Sequence, residues 1–400
     1  MNGQDWPAHL PRVPRSVVHE LADAAERHAQ RPALCFEGER LNHAQYAGLA
    51  GAVAARLAPR VRPGDRVALL MQNSLDLAVA LFAVHALRAQ AVPLNPGYTR
   101  RELGFMLQDA APSAVLHDHA AGADLASLLP GLPPAAWWFT GQGKGLLPLL
   151  GEACALPADR PVHADLATLQ YTGGTTGLPK GVNITHGHLA HNLAQREAWL
   201  PTRQGQEVVL CVMPLFHVSA AAMSLHLSVY ARAELVIHRR FQARALCEAV
   251  AAHRVTLLSA APAIFHDLLA DPALAASDLS SLRACFSGAA PLPREVLGRF
   301  EAATGCVIHE GYGMSEAGPC LTYNPMHRPR KAGTVGLPVP GGELQVVDLE
   351  QGLAPVPVGE PGEIRVRGPH VMAGYRNLPE QTAQVLRGGW LYTGDVASQD

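Results

Sequence analysis

The sequence carries little charge and few aromatic residues. Only 16% of its 400 residues are Asp, Glu, Lys or Arg, 6% are aromatic, and the formal net charge is −2. It contains no block of basic residues, so nothing in it supports nucleic-acid binding. Hydrophobic residues make up 48% of the chain, enough for the core of a soluble globular protein with two or three structural units.

The sequence also lacks closely spaced pairs of cysteines. The seven cysteines are odd in number and widely scattered, and no two of them are separated by two residues. This argues against a disulfide framework or a zinc site and predicts inert thiols in a reducing, cytoplasmic compartment. The N-terminus has no basic segment followed by an apolar core, so no signal peptide is expected.

One uncharged stretch requires a check for membrane insertion. Residues 208–231 contain no Asp, Glu, Lys or Arg, but they include Pro214, His217 and His226. Such groups are costly in lipid. We therefore expect a buried strand, a loop and a helix here, and leave peripheral contact with a membrane open.

Short β-type apolar runs alternate with helical patterns, which predicts an α/β fold with two doubly wound regions. The strands and helices expected for the first region lie at residues 17–30 (helix), 66–71, 74–88 (helix), 90–94, 99–110 (helix) and 114–117. Those expected for the second lie at 166–171, 187–200 (helix), 208–213, 234–237, 243–253 (helix), 257–260, 284–287 and 294–304 (helix). Ser16 and Thr185 are suited to cap the helices at 17–30 and 187–200.

The style of the sequence changes after about residue 331. Two β-type runs, at 343–348 and 363–367, flank a Pro/Gly-rich loop at 355–362, which predicts a small, barrel-like antiparallel subdomain. We therefore divide the chain into a first α/β subdomain (1–165), a second α/β subdomain (166–330) and a β-rich subdomain (331–400).

The most distinctive segment is residues 171–181, which read YTGGTTGLPKG. Glycines let the backbone approach a ligand, exposed N–H groups bind anions, threonine hydroxyls donate to phosphate oxygens, and Lys180 adds a positive charge. It is not a Walker A loop, because Leu178 and Pro179 separate the last glycine from the lysine. A plain surface turn is the alternative, but turns seldom need so many hydroxyls.

A second motif, GYGMSE at residues 311–316, combines groups suited to a nucleotide. Tyr312 offers a flat face for adenine, Ser315 can donate to the α-phosphate, and Glu316 can hold Mg²⁺. It is not a dinucleotide fingerprint, since Glu316 stands where the third glycine would be. In isolation, these six residues could equally form a structured turn.

Three further segments are weaker candidates. Small residues at 287–292 (SGAAPL) can press against a flat base, and the carboxylate of Asp395 in YTGD (392–395) can accept both ribose hydroxyls. His217, in MPLFH at 213–217, precedes a run of small and apolar residues, where a lone histidine is usually a core or loop residue.

Taken in this order, the motifs resemble the adenylate-forming superfamily, which includes acyl-CoA synthetases, nonribosomal peptide synthetase adenylation domains and firefly luciferase. The resemblance covers essentially the whole chain. It implies two doubly wound sheets flanked by helices in a layered αβαβα arrangement, plus a small distorted β-barrel subdomain.

The resemblance also implies roles for individual residues. The catalytic set is Thr175, Thr176, Lys180, Ser315 and Glu316, with Glu316 as the metal ligand. The ATP-binding set is Thr172, Gly173, Gly174, Thr175, Thr176, Gly177, Lys180, Gly288, Ala289, Ala290, Glu310, Gly311, Tyr312, Ser315 and Asp395. The acid-binding set is Phe216, His217, Ala221, Ala290, Gly313 and Met314.

The implied reaction is the ATP- and Mg²⁺-dependent conversion of a carboxylic acid to acyl-AMP, followed by transfer to coenzyme A. Residues 218–231 contain no aspartate to pair with an ammonium group, so the acid is expected to lack an amino group. The segments PLNP (93–96), PLFH (214–217) and GYRN (374–377) look most like fatty acyl-CoA synthetases and aryl or cyclic acid CoA ligases. A domain that loads a carrier protein, or a non-catalytic ATP or acyl-adenylate binding module, remains an alternative.

The family continues with a smaller C-terminal lid domain that supplies a lysine to the reacting carboxylate. This sequence ends at Asp400, five residues past Asp395. We therefore expect the large domain alone, with the lid domain absent, weak adenylation and little thioester formation. The sequence leaves the oligomeric state open.

Overall fold

The computed structural model describes residues 10–118, 125–133, 136–140, 145–173 and 178–400. The strands, in chain order, are β1 Pro32–Phe36, β2 Glu39–Asn42, β3 Arg66–Leu70, β4 Gln90–Leu94, β5 Ala114–His117, β6 Trp137–Phe139, β7 Leu166–Thr172, β8 Lys180–Thr185, β9 Val208–Cys211, β10 Glu234–Ile237, β11 Leu257–Ala260, β12 Ala284–Ser287, β13 Ile308–Gly313, β14 Cys320–Tyr323, β15 Leu337–Pro338, β16 Glu343–Val347, β17 Pro361–Arg367, β18 Leu386–Arg387 and β19 Trp390–Ser398.

Helices cover the sheets and connect the parallel strands. They are α1 Val17–Arg27, α2 His43–Leu57, α3 Leu75–Ala86, α4 Arg100–Ala110, α5 Leu125–Leu128, α6 His186–Trp199, α7 Val218–Ala220, α8 Leu227–Tyr230, α9 Ala243–His253, α10 Pro262–Ala270, α11 Ala273–Ala276, α12 Arg294–Thr304 and α13 Pro379–Val385. A π-helical turn, Ala221–His226, joins α7 to α8 without a break.

Within the described residues the strands form three sheets. Nine strands run in the order β15-β14-β13-β12-β11-β9-β10-β1-β2, six in the order β6-β5-β3-β4-β7-β8, and four in the order β16-β17-β19-β18. The centres of the two larger sheets are parallel. The four-stranded sheet is antiparallel, with a register shift between Glu363 and Arg365.

A layer of helices lies between the two larger sheets. Helix α3 is buried along its whole length, and one apolar core joins its side chains to α2, to β3 of the six-stranded sheet and to β10 of the nine-stranded sheet. Burial on both faces explains why these parallel strands are continuously apolar rather than alternating. The predicted layered α/β fold with an added curled β-sheet is confirmed.

Local sequence determines where several helices begin. The side chains of Ser16, Asn42, Ser74, Thr99 and Thr185 each accept a hydrogen bond from the backbone N–H three residues ahead. Such N-caps satisfy backbone donors that the helix leaves free. The caps predicted at Ser16 and Thr185 are therefore present.

The sheets do not follow the predicted boundary after residue 165. Strand β7 pairs with β4, through Ala91 and Thr168, and so belongs to the six-stranded sheet. Strand β1, from the N-terminal part of the chain, pairs with β10 in the nine-stranded sheet. Periodicity identifies a strand but not its hydrogen-bonding partner. Whether the three stretches behave as separate folding units stays a prediction.

The uncharged stretch at residues 208–231 folds as β9, a loop and the helical run from α7 to α8, as expected. Among the described helices, none is both long enough and apolar enough to cross a membrane. All seven cysteines are unpaired, and only Cys154 of these is exposed.

Three histidines meet in the core: His85 near the end of α3, His186 at the start of α6 and His226 at the end of the π-helical turn. The ring of His85 lies 5.0 Å from that of His186 and 6.1 Å from that of His226, centre to centre. All three side chains are buried. Burial lowers the pKa of His186 from 6.5 to about 3 and that of His226 to about 4, and it lowers the pKa of His85 as well.

These histidines should make stability depend on pH. Their folded-state pKa values lie below the unfolded value, so the unfolded chain takes up protons first as the pH falls below about 6.5. We expect the free energy of unfolding to be unaffected by these groups above about pH 7. Between about pH 6.5 and 4 it should fall, by up to ~1.4 kcal/mol per pH unit for each histidine.

Urea denaturation at a series of pH values measures this dependence. His226→Phe should make the fall with pH shallower, whereas His266→Ala, at an exposed position, should leave it unchanged. Equal slopes for the wild type and His226→Phe would contradict the assignment.

Candidate active site

A cavity of about 410 Å³ lies at the carboxyl ends of parallel strands β9, β11, β12 and β13. Ligands of open α/β sheets bind at this edge. Each of these strands ends in a segment that lines it: Met213 and His217 after β9, Ser259 to Ala261 at β11, Gly288 and Ala289 after β12, and Gly311 to Ser315 at β13. The structure therefore gathers eight of the predicted ATP-binding or acid-binding positions, together with neighbours, around one space.

The loop at residues 213–217 is held by two buried side-chain amides of the six-stranded sheet region. Asn73 donates to the carbonyls of Met213 (2.9 Å) and His238 (3.0 Å) and accepts from the N–H of Leu215 (2.7 Å). Gln170 on β7 donates to the carbonyl of Phe216 (3.1 Å). These bonds fix the segment that carries His217 against the cavity.

His217 lines the cavity, with its ring 4.9 Å from that of Phe216. Burial lowers the pKa of His217, so the imidazole is neutral at pH 7 and can donate or accept a hydrogen bond. Phe216, although predicted to bind the acid, is not among the described residues that line the cavity.

The run from α7 to α8 forms an apolar wall of the cavity. Val218, Ala220 and Met223 line it, and Met223 lies within the π-helical turn. Such turns occur often at functional sites. Ala221 and Ala290, both predicted to contact ligands, are not among its lining residues in the described part of the chain.

The glycines of the second motif have a packing role. A β-carbon on Gly311 would lie 2.4 Å from the ring of Tyr323, and one on Gly313 would lie 1.6 Å from the carbonyl oxygen of Pro319. Both distances are shorter than any real contact, so only glycine fits beside the segment that includes β14. Close approach of a ligand is therefore not needed to explain these two glycines.

Tyr312 joins the cavity to the four-stranded sheet. Its hydroxyl donates to the Oδ2 of Asp395 at 2.5 Å. Burial raises the pKa of Tyr312, and the Asp395 carboxylate raises it further. Asp395 itself is exposed at an irregular point of β19, where its N–H donates to Thr393 Oγ1. Its carboxylate is therefore tied to Tyr312, although Asp395 is not among the described residues that line the cavity.

Glu316 lies near β8 and is not among the described residues that line the cavity. Its Oε1 accepts a hydrogen bond from the hydroxyl of Tyr375 (2.8 Å), and the Lys180 ammonium lies 5.1 Å from the centre of the Tyr375 ring. Burial raises the pKa of Tyr375, as does the Glu316 carboxylate. Sequence reasoning missed Tyr375, although it lies in the GYRN segment that carried part of the resemblance.

The segment predicted to bind phosphate, residues 171–181, begins in β7 and ends in β8, and these two strands are antiparallel. Thr172 ends β7, Lys180 begins β8, and the two residues pair directly. The predicted residues Gly174, Thr175, Thr176 and Gly177 lie outside the described residues. Gly173, which precedes them, has open space where a side chain would project.

The side chain of Glu310 is hydrogen-bonded to the protein backbone. It is buried in the middle of β13, accepts a hydrogen bond from the N–H of Gly333 (3.0 Å), and is not among the described residues that line the cavity. Burial raises its pKa. Its predicted role in ATP binding remains a prediction.

Comparison with known proteins decides the family. The model of the AMP-binding enzyme family matches residues 21–376. The chain belongs to the AMP-binding enzyme family.

Relatives of this AMP-binding enzyme are CoA ligases. It is 33% identical over 431 aligned residues to a long-chain-fatty-acid–CoA ligase of Bacillus subtilis, an alignment that covers 99% of this chain and 77% of that protein. It is 35% identical to 4-coumarate–CoA ligase 5 of Oryza sativa, covering 98% of this chain and 75% of that one. Among solved structures, ATP-bound MatB of Rhodopseudomonas palustris is similar with a TM-score of 0.86 and 28% identity, covering 96% of this chain and 76% of that one.

Asp395 offers a test of the nucleotide site. If its carboxylate accepts the ribose hydroxyls, Asp395→Ala should weaken ATP binding about tenfold or more, since hydrogen bonds to a charged group contribute about 1.5–3 kcal/mol. The free energy of unfolding should change by less than about 0.5 kcal/mol, because the side chain is exposed. Isothermal titration calorimetry and urea denaturation measure the two quantities.

The matched control is Asp278→Ala, which removes another exposed, hydrogen-bonded carboxylate that does not line the cavity. Equal ATP affinity in the wild type and in both variants would show that Asp395 has no part in nucleotide binding.

Proposed function

We propose that this AMP-binding enzyme converts a carboxylic acid without an amino group, of fatty, aryl or cyclic type, to acyl-AMP and then passes the acyl group to coenzyme A. The observation that carries the proposal is one cavity lined by two chemically different sets of residues. Tyr312 and Ser315 line it, with the Asp395 carboxylate bonded to Tyr312, and Val218, Ala220 and Met223 give it an apolar wall.

In the adenylation step, a carboxylate oxygen of the acid forms a bond to the α-phosphorus of ATP. The bond between the α-phosphorus and the bridging oxygen breaks, and pyrophosphate leaves with that electron pair. Such a reaction requires alignment and charge stabilisation more than covalent help from the protein. A cavity that holds both substrates at once supplies the alignment.

The segment that connects β7 to β8 would supply the groups that balance the negative charge of the phosphates. In the proposal, Thr172, Gly173 and Lys180 contact phosphate oxygens together with Gly174, Thr175, Thr176 and Gly177. The Tyr375 ring beneath Lys180 holds its ammonium group by a cation–π contact.

Glu316 suits Mg²⁺, which binds proteins through one or two carboxylates and otherwise through phosphate oxygens and water. Its second oxygen, Oε2, is not the one that accepts from Tyr375. When bound, the metal would neutralise part of the triphosphate charge.

The nature of the acid is inferred from the cavity wall. No aspartate or glutamate lines the cavity in the described part of the chain, so an ammonium group on the acid would be desolvated without a partner, at considerable cost. The names of the relatives, long-chain fatty acid and 4-coumarate ligases, support a fatty or aryl acid and coenzyme A as acceptor. The seven unpaired cysteines support a reducing, cytoplasmic location.

Acid-dependent exchange of pyrophosphate into ATP tests the adenylation step directly. We expect exchange with at least one class in a panel of fatty, aryl and cyclic acids, and none with amino acids. Glu316→Gln should lower the rate about tenfold or more through weaker use of Mg²⁺-ATP, whereas Glu295→Gln, at an exposed position, should not.

Tyr375→Phe tests the charge of Glu316 apart from the hydrogen bond that its carboxylate accepts from Tyr375. It retains the Glu316 charge and should lower exchange less than Glu316→Gln does. Binding of ATP without exchange for any acid would favour a non-catalytic binding module, and exchange that depends on an amino acid would contradict the proposed substrate class.

A further inference from the structure

A fully buried arginine lies behind the apolar wall of the cavity. The side chain of Arg196 on α6 is 2% exposed, and its guanidinium stacks 5.0 Å above the Phe286 ring. Its Nη1 donates to Oε2 of Glu197 (3.0 Å) and to the carbonyl of Leu200 (2.5 Å). Its Nε and Nη2 have no protein partner among the described residues.

The charge of Arg196 is balanced, but its hydrogen-bonding capacity is not. Glu197 supplies a neighbouring negative charge, and its other oxygen accepts from the N–H and the hydroxyl of Thr202. A guanidinium remains protonated at neutral pH and carries five N–H donors. The remaining donors therefore call for an oxygen acceptor, whereas a further anion would leave this buried group with an excess negative charge.

A second, small cavity of about 10 Å³ lies against Arg196. His226 also lines it, and the Nε2 of His226 likewise has no protein partner among the described residues. The volume suits about one oxygen atom. Two side chains with unpartnered polar atoms thus line a space that can hold one acceptor.

Two sulfur-containing side chains separate this space from the main cavity. Met223 and Cys320 line both cavities, and their sulfur atoms are 3.6 Å apart. Methionine is unbranched and adopts several rotamers at low cost. A change of rotamer at Met223 would therefore join the apolar cavity to the Arg196 donors.

We propose that the acid carries a neutral oxygen acceptor, a carbonyl, hydroxyl or ether, at the end remote from its reacting carboxylate, and that Arg196 binds this oxygen. The inference rests on the proposed function, because it assumes that the main cavity holds the acyl chain. Arg196 is then a specificity-determining residue, and the acyl chain displaces the Met223 side chain that lies between the two cavities.

Unreactive acyl-adenylate analogues test the inference without turnover. Acyl sulfamoyl adenosines would be prepared in matched pairs of increasing chain length, one tail ending in methyl and the other in a hydroxyl or a ketone. Calorimetry on the whole chain should show, at one range of lengths, about tenfold or tighter binding of the oxygenated tail, since a buried hydrogen bond to a charged donor is among the stronger ones.

Arg196→Met removes the donors but keeps an unbranched apolar stem. The preference for the oxygenated tail should disappear, while the methyl-ended analogue binds as it does to the wild type. A purely structural role for Arg196 would instead weaken both analogues equally. Arg196→Lys keeps the charge beside Glu197 and should restore part of the preference.

Met223→Phe provides a second test that leaves Arg196 intact, in case Arg196→Met fails to fold. The rigid ring should keep the two cavities apart and abolish the preference, whereas Met223→Ala should retain it. Folding of each variant is checked by its urea unfolding curve.

The outcomes separate the two proposals. Failure of every analogue to bind would contradict the proposed function. Equal binding of methyl-ended and oxygenated tails at every length would contradict the inference alone. Tighter binding of a carboxylate-ended tail than of either neutral tail would overturn the assignment of a neutral acceptor.

Discussion

The candidate site depends on two buried amides that tie one sheet region to the other. Asn73, just beyond β3, makes three hydrogen bonds to backbone groups at Met213, Leu215 and His238, and Gln170 on β7 holds Phe216. Unpaired backbone groups at this buried position would each cost about 1–3 kcal/mol. The loop that carries His217 therefore keeps its position only while the two sheets keep theirs.

The same principle extends to the third sheet. Asp395 comes from β19 of the four-stranded sheet and meets Tyr312 from β13 of the nine-stranded sheet. Tyr375 forms a β-bridge with Val182 on β8, and its hydroxyl donates a hydrogen bond to Glu316. The residues predicted to contact the nucleotide thus come from all three sheets, so the candidate site forms only in the assembled domain. This arrangement explains why the motifs are far apart along the chain.

The sequence predicted much of the secondary structure but not the pairing of the strands. The bounds of β4, β5 and α9 follow from apolar runs and periodicity, as do the caps at Ser16 and Thr185. It did not indicate that β7 would pair with β4, because the pairing partner depends on tertiary packing that local patterns do not encode. The boundary placed after residue 165 was drawn between segments that turn out to share sheets.

Prediction of the site had a similar limit. Tyr312, Ser315 and Asp395 were chosen by residue chemistry within motifs, and the structure places Tyr312 and Asp395 in contact although they are 83 positions apart. Tyr375 and Arg196 were missed, since a tyrosine in a loop and an arginine on a helix are usually exposed. Their burial, and the missing partners of Arg196, are visible only in three dimensions.

A crystal structure of the protein with an unreactive acyl-adenylate analogue would test the account most directly. We expect the adenine to lie against Tyr312, the ribose hydroxyls to bind Asp395 and the acyl chain to lie along Val218, Ala220 and Met223. An adenylate bound away from the ends of β9, β11, β12 and β13, or an acyl chain that lies outside this cavity, would contradict it.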